Sequence, residues 1–354
     1  MVLNIHHLPG RTLQIENETF LFFSGTSYLG VGHQIVFRKN LSDSILNLGT
    51  IFSASRNGNL RLSVYEDTEK YLAQQTGAEA ALTVTSGALA GQVVVTALNN
   101  NFFIYAKGAH PAIWKAAPEF VFSNKKELEV ILKKNLHQNN IVIACNAIDP
   151  LTCLPSDWSF IDSLPDDKNI TLLIDDSHGI GVTGKNGNGV YADLKNLSIQ
   201  KLNLRLIVVA SLAKACGIPG GIILGETETI KAFQQLPLFV GASPIVPAYL
   251  EAFLRSREMY KTARSQLFFN CTYFISLLSS KSRENLRYFK DYPVFFVTNN
   301  ALYAYLYKKS IFISHFAYPK PDDPPITRII ISALHTQNDI FTIAEAVNNF
   351  DFKN

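Results

Sequence analysis

The chain of 354 residues contains few cysteines, and their spacing does not suggest a paired set. The four thiols are at Cys145, Cys153, Cys216 and Cys271, with no CxxC motif. A disulfide framework or a clustered zinc site needs closely spaced cysteines, so this pattern disfavours both classes. The first residues lack the charged and apolar zones of a secretory signal. We therefore expect a cytoplasmic protein with free thiols and no metal site.

An excess of charge of one sign is also missing, as are long apolar runs. The net charge is +3, and basic pairs such as Lys125–Lys126 are typical of solvated helix faces. We expect neither a nucleic-acid partner nor a membrane surface. The longest uncharged run, Ala80–Ala106, is interrupted by polar residues and a Ser-Gly pair. It predicts a strand, a turn, a buried helix and a second strand, and not a membrane span.

Four short apolar runs rich in β-branched residues predict buried strands. They are Ile141–Ala144, Thr171–Ile174, Leu206–Ala210 and Gly221–Leu224. Helix-like segments separate the earlier runs, which predicts an α/β fold with a mainly parallel sheet. Only about ten residues separate the last two runs, which is too short for a helical crossover. Those two strands should therefore be antiparallel neighbours.

Local signals predict three helices outside this region. Ser63–Glu66 has the order of a capping box and should open a helix that ends near Gln75. Residues 247–277 read as one long helix, and a final helix should begin near Thr336.

The chain length suits a large domain and a smaller one. Between residues 294 and 332, strand-like and helix-like segments alternate in an α+β pattern. We expect an N-terminal segment over residues 1–30, a large α/β domain over 31–239 and a small α+β C-terminal domain over 240–354.

An aspartate, a histidine and a lysine occupy the loops that follow these strands. Asp175 ends one strand, His178 lies three residues later, and Lys214 lies in a loop of small residues and glycines. Alone, the aspartate would be a turn cap and the lysine a surface residue. Together they match the needs of pyridoxal phosphate (PLP): a counter-ion for the pyridine nitrogen and an amine for a Schiff base. His178 could hydrogen-bond the phenolic oxygen of the ring.

A candidate phosphate site follows the strand-like residues 81–84. Ser86, Gly87 and Ala88 open a helix-like segment, where backbone N–H groups of small residues can bind phosphate. By itself Ser86 would be an ordinary helix cap, but beside Asp175 and Lys214 we favour phosphate binding. Ser211 could add a hydroxyl to the same group.

Residues 179–184 match the letters of a GxGxxG dinucleotide motif. That motif needs a helix opening in its glycines and an acidic residue near the end of the next strand. Here the chain continues into Lys185–Gly189, which is typical of a loop. We therefore reject the dinucleotide interpretation.

Two further residues are ambiguous on local grounds. His110 follows a strand-like segment, and a lone histidine is more often structural than catalytic. Arg328 directly adjoins an apolar strand, where it could be an edge-strand residue or a bidentate ligand for a carboxylate.

These residues, in this order, resemble the α-oxoamine synthase family of fold-type I PLP-dependent enzymes, with an aspartate aminotransferase-like fold. The resemblance runs from about Phe22 to the C-terminus. The matching segments are Ser27–Gly30 (DYLG), Ser53–Arg56 with Tyr65–Glu66 (GGSR and LHxxLE), Asp175–Gly181 (DEAHSxG) and Ser211–Gly217 (TxSKAxG).

The resemblance implies a role for each candidate residue. Lys214 would be the Schiff-base lysine, Asp175 would contact the pyridine nitrogen and His110 would stack on the cofactor. Arg328 would bind the carboxylate of an amino acid, and Ser243 would reach the phosphate held by a partner subunit. The resemblance thus implies a homodimer with shared active sites.

The implied activity is the condensation of a small α-amino acid with an acyl-CoA, as in 8-amino-7-oxononanoate synthase or glycine C-acetyltransferase. The chain differs from the family pattern at Ala88, Gly91 and Ala213, where an aromatic residue, an asparagine and a serine are typical. Two alternatives therefore stay open. One is a PLP-dependent aminotransferase, and the other is a PLP-fold binding protein with degraded catalysis.

Overall fold

The computed structural model describes residues 4–198, 201, 203–317 and 322–352. The strands are β1 (Thr12–Ile15), β2 (Glu18–Phe23), β3 (Ala80–Val84), β4 (Phe102–Ala106), β5 (Val121–Phe122), β6 (Asn140–Asn146), β7 (Asn169–Asp175), β8 (Leu204–Ser211), β9 (Gly221–Gly225), β10 (Leu286–Arg287), β11 (Val294–Val297), β12 (Ile311–Ala317) and β13 (Pro325–Ile330). The helices are α1 (Ile35–Leu48), α2 (Ser63–Thr76), α3 (Gly87–Ala97), α4 (Lys125–Lys134), α5 (Tyr191–Ser198), α6 (Thr227–Phe233), α7 (Pro237–Val240), α8 (Pro247–Arg255), α9 (Arg257–Leu277), α10 (Ser280–Glu284), α11 (Ala301–Tyr307) and α12 (Gln337–Asn348).

The chain forms two compact units, each built from separate pieces of sequence. The large unit contains Ile35–Pro150 and Pro155–Arg257. The small unit contains Met1–Gln34, Leu151–Leu154 and Glu258–Asn354. None of the helices in the described residues combines the length and the apolar composition that a membrane crossing requires.

The large unit is organised around a seven-stranded sheet in the order β3-β9-β8-β7-β6-β4-β5. Strands β4 to β8 run parallel to one another, whereas β9 is antiparallel to both β8 and β3. This confirms the mainly parallel sheet and the predicted reversal between β8 and β9. The carboxyl ends of β3, β4, β6, β7 and β8 therefore share one edge, where α/β sheets place their ligands.

Helix α3 covers the centre of this sheet. Its Ala90, Val93 and Val94 are fully buried in a cluster that includes Leu173 on β7 and Ile207 on β8. The helix is apolar on most of its surface, which is typical of a helix packed inside a core. The predicted strand, turn, buried helix and strand over residues 80–106 are confirmed.

Two predictions about helices need correction. Helix α2 spans the expected residues, but its N-cap is Leu62, and no side chain caps it. Ser63 is already helical, so the capping box that the sequence predicted is absent. The predicted helix over 247–277 is two helices, α8 and α9, which are interrupted at Ser256. The Ser256 hydroxyl is buried and accepts a hydrogen bond from Asn40, a partner far away in sequence.

The small unit contains a six-stranded sheet in the order β1-β2-β12-β13-β11-β10. Only β2 and β12 are parallel; the other neighbours are antiparallel. The N-terminal hairpin of β1 and β2 thus completes a sheet made by the C-terminal strands, a pairing that the sequence did not reveal. Helix α12 begins as predicted, because Thr336 and Asp339 form a reciprocal capping box.

Candidate active site

Lysine and histidine meet at the carboxyl edge of the large sheet. Lys214 lies in the turn between the antiparallel strands β8 and β9, and His178 lies in the loop after β7. The Nζ atom of Lys214 is 2.8 Å from Nε2 of His178. Ser177 ties the two loops together, since its hydroxyl accepts a hydrogen bond from the backbone N–H of Ser211 at 2.8 Å.

Asp175 is the last residue of β7 and is buried. Its Oδ1 atom accepts a hydrogen bond from the backbone N–H of Ser177 at 2.9 Å, which fixes the carboxylate. Its Oδ2 atom lies 3.7 Å from Nδ1 of His110, beyond hydrogen-bond distance. The carboxylate therefore presents one oxygen that its own loop does not use.

His110 follows β4 and is part of a tight turn. Its Nδ1 atom accepts a hydrogen bond from the backbone N–H of Ala112 at 3.2 Å. Burial lowers the pKa of His110; the charge of Asp175 raises it, and that of Lys214 lowers it further. The imidazole is therefore neutral around neutral pH.

The turn after β3 brings Ser86 and Gly87 against Ser211. The Ser86 hydroxyl caps α3 by accepting a hydrogen bond from the N–H of Leu89. A Cβ atom on Gly87 would lie 2.7 Å from Cβ of Ser211, so only glycine allows this approach. Ala88 stays exposed in the first turn of α3. The helix N-terminus and the Ser211 hydroxyl therefore share a region suited to an anion.

Ser243 also lies in the large unit but is separate from these contacts. It is exposed after α7 and shares a small cleft with Leu89 and Arg56. The glycine segment 179–184 forms turns and no helix, so the dinucleotide motif is absent from this loop.

A second buried carboxyl, Asp176, was not singled out from the sequence. Its Oδ2 atom accepts a hydrogen bond from the N–H of Val190 at 2.8 Å, while Oδ1 has no partner among the described residues. Burial raises the pKa of Asp176 from 3.8 to about 7, and the nearby charge of Asp175 contributes to the rise. The carboxyl is therefore substantially protonated near neutral pH.

Asn146 is a further polar residue of the site that was not predicted from the sequence. It ends β6 at the same edge as Asp175, its partner across the two strands. Its side chain donates to the carbonyl oxygen of Gly108 at 2.7 Å and accepts from the N–H of His110 at 3.0 Å. The available signal was a polar residue at the carboxyl end of an apolar strand.

Arg328 belongs to the small unit, on β13. It is buried, and its Nε atom has no hydrogen-bond partner among the described residues. Its guanidinium carbon lies 5.2 Å from the centre of the Phe316 ring. A buried guanidinium with an unused donor is suited to binding an anion.

Comparisons with known proteins agree with this architecture. The 8-amino-7-oxononanoate synthase of Petrotoga mobilis is 26% identical over 363 residues, covering 96% of this chain and 90% of that protein. The serine palmitoyltransferase of Sphingomonas wittichii superposes with a TM-score of 0.81 at 15% identity, covering 98% of this chain and 90% of that one. A structure of serine palmitoyltransferase with PLP gives 0.82 at 15% identity, with coverage of 98% and 91%.

The fold is that of the fold-type I PLP-dependent transferases. The family model for aminotransferase class I and II matches residues 53–347. The chain belongs to that family and, by its relatives, to the α-oxoamine synthase group within it.

Proposed function

We propose that the chain is a PLP-dependent acyltransferase that condenses a small α-amino acid with an acyl-CoA. The observation that carries this proposal is the contact of 2.8 Å between Lys214 and His178, beside a buried carboxylate at Asp175. The names of its relatives support the acyltransferase assignment, since they include 8-amino-7-oxononanoate synthase and serine palmitoyltransferase.

The residues at this edge fit PLP in three respects. The Oδ2 atom of Asp175 is available for a pyridine nitrogen, because the Ser177 N–H occupies Oδ1. The N-terminus of α3, with Ser86 and Gly87, can accept the phosphate together with Ser211. Lys214 supplies the amine from a turn anchored by two paired strands.

PLP, when bound, supplies an aldehyde that combines with amines and a ring that accepts electrons from a substrate carbon. The chain provides the proton transfers. An amine must be neutral to attack an aldehyde, and Nε2 of His178 is within hydrogen-bond distance of the Lys214 amine. His178 can therefore accept the proton that Lys214 must lose. With the cofactor bound, the amine of Lys214 would be the base that removes the α-proton of the substrate.

Asp175 and His110 would orient the cofactor. A buried carboxylate stabilises a proton on the pyridine nitrogen, which increases the capacity of the ring to accept electrons. The neutral imidazole of His110 can stack on the ring without adding a positive charge. Arg328 is our candidate for the substrate carboxylate, because its buried guanidinium has an unused N–H donor.

We further propose a homodimer in which the exposed Ser243 of one protomer contacts the phosphate held by its partner. We also propose a reducing, cytoplasmic location, which the four buried free cysteines support.

The cofactor is tested by absorbance of the purified protein. We expect a yellow protein in which borohydride bleaches the colour and attaches the cofactor covalently, and a Lys214→Ala variant in which borohydride attaches none. Lys195→Ala is a matched control, because Lys195 on α5 pairs with Glu79 at the amino end of β3, opposite the carboxyl edge, and its replacement should leave the colour and the attachment unchanged. A colourless wild-type protein that PLP cannot reconstitute would refute cofactor binding.

The reaction is tested by thiol release. Acyl-CoA thioesters of different chain length are incubated with glycine, alanine or serine, and free CoA is measured with a thiol reagent. Amino-acid-dependent release supports the acyltransferase. Amine transfer to a keto acid without thiol release would instead establish an aminotransferase.

A further inference from the structure

The turn that carries His110 is held from two sides. On the sheet side, Asn146 bridges it, donating to the Gly108 carbonyl at 2.7 Å and accepting from the His110 N–H at 3.0 Å. Asn146 itself is buried, at 7% exposure, whereas Gly108 and His110 are half-buried. Breaking both bonds would remove the partners that hold these two backbone groups in place, at a cost in stability.

On the helix side, α3 fixes the peptide of Ala112. The side chain of Gln92 donates to the Ala112 carbonyl oxygen at 2.9 Å. A Cβ atom on Gly91 would lie 2.1 Å from the same oxygen, so no other residue fits here while the turn keeps its place. Ala112 also donates its backbone N–H to Nδ1 of His110 at 3.2 Å.

This hydrogen bond determines which nitrogen of His110 carries a proton. A nitrogen that accepts from an N–H donor is itself unprotonated, so the proton of the neutral ring lies on Nε2. Burial favours the neutral ring, because it lowers the pKa of His110.

The tautomer matters because of the nearby carboxylate. Nδ1 of His110 is 3.7 Å from Oδ2 of Asp175, the oxygen that the Ser177 N–H leaves available. A proton on Nδ1 would need only a small movement to donate to this oxygen. His110 would then compete with any other donor for Asp175.

We propose that Asn146 is a positioning residue that holds the turn from Gly108 to Ala112, keeps His110 in its Nε2–H tautomer and reserves Oδ2 of Asp175 for the cofactor. The part about the cofactor rests on the proposed function. The tautomer is a property of the chain alone and can be measured without PLP.

The test is nitrogen-15 NMR of the histidine rings, in which the two tautomers have distinct shifts. The His110 signals are assigned by their loss in His110→Gln. In the wild-type protein, with and without PLP, we expect the Nε2–H form between pH 6 and pH 8. An Nδ1–H form in the wild type would overturn the proposal, and this measurement requires no variant of Asn146.

In Asn146→Ala we expect a mixture of tautomers, a higher titration midpoint for His110 and a loss of PLP affinity of roughly tenfold, the effect of about one charge-assisted hydrogen bond. Gly91→Ala should give the same mixture of His110 tautomers. If Asn146→Ala does not fold, this second variant tests whether the position of the turn sets the tautomer. Asn140→Ala, at the exposed opposite end of β6, is the matched control and should match the wild type.

An unchanged tautomer in both test variants would refute the role of Asn146. A wild-type protein with the Nε2–H tautomer that fails to bind PLP would refute the proposed function and leave this inference standing.

Discussion

Replacing Asp176 by asparagine should make the stability of the protein less dependent on pH. Burial raises the pKa of Asp176 to about 7, compared with 3.8 for an unperturbed side chain. Between these values the folded protein retains a proton that the unfolded chain has released. The folded state therefore loses stability as the pH rises from about 4 to about 7, and the loss is complete above that range.

The size of the effect follows from the two pKa values. Their separation of about three pKa units corresponds to about 4 kcal/mol in total. Roughly 3 kcal/mol of this loss falls between pH 5 and pH 8. In Asp176→Asn the ionisation is absent, and the amide oxygen can still accept from the Val190 N–H. The variant should gain roughly 3 kcal/mol relative to wild type when the pH is raised from 5 to 8.

The measurement is urea unfolding of both proteins at pH 5 and pH 8, at matched protein concentration. The quantity of interest is the change in their stability difference between the two pH values, which cancels effects common to both proteins. Asp193→Asn, an exposed carboxyl on α5, is the control and should show no such change. An equal difference at both pH values would mean that Asp176 is already ionised at pH 5, and the argument from burial would then be wrong.

Two other substitutions test the site and its support. Arg328→Ala should raise the KM for the amino acid by roughly 10- to 100-fold in steady-state kinetics. The control is Arg287→Ala, an exposed residue on the same sheet, which should leave the KM unchanged. An unchanged KM in Arg328→Ala would exclude Arg328 from carboxylate binding. Glu69→Ala should lower the free energy of unfolding by about 3–5 kcal/mol, because it leaves the mostly buried guanidinium of Arg56 without its bidentate partner. The exposed Glu66→Ala on the same helix should change stability little, and similar denaturation midpoints for both variants would contradict this account of the ion pair.

The sequence predicted the architecture of the large unit well, because its signals are local. Continuous apolar runs identify buried strands, and the short interval before Gly221 excludes a helical crossover, so the reversal at β9 followed directly. Polar residues at the ends of those strands had to meet at one edge, and Lys214, His178 and Asp175 do so.

What the sequence did not reveal depends on partners that are distant along the chain. The hairpin of β1 and β2 is recognisable as a sheet element only beside β12. The interruption at Ser256 coincides with a hydrogen bond from Asn40, and no proline or glycine marks it. Asn146 gains its role from contacts with Gly108 and His110, almost forty residues earlier.

The small unit combines strands from both ends of the chain, and this affects the order in which the protein folds during its synthesis. Leu21 on β2 is paired in register with Ile311 on β12. Strand β2 is synthesised early, and it can form this pairing only after β12, one of the last strands, has been synthesised. Contacts this distant along the chain form slowly, whereas the large unit can assemble from strands made in succession. During synthesis the edge of β2 is left unpaired for most of translation. A truncation before β12 would make that exposed edge permanent and favour aggregation.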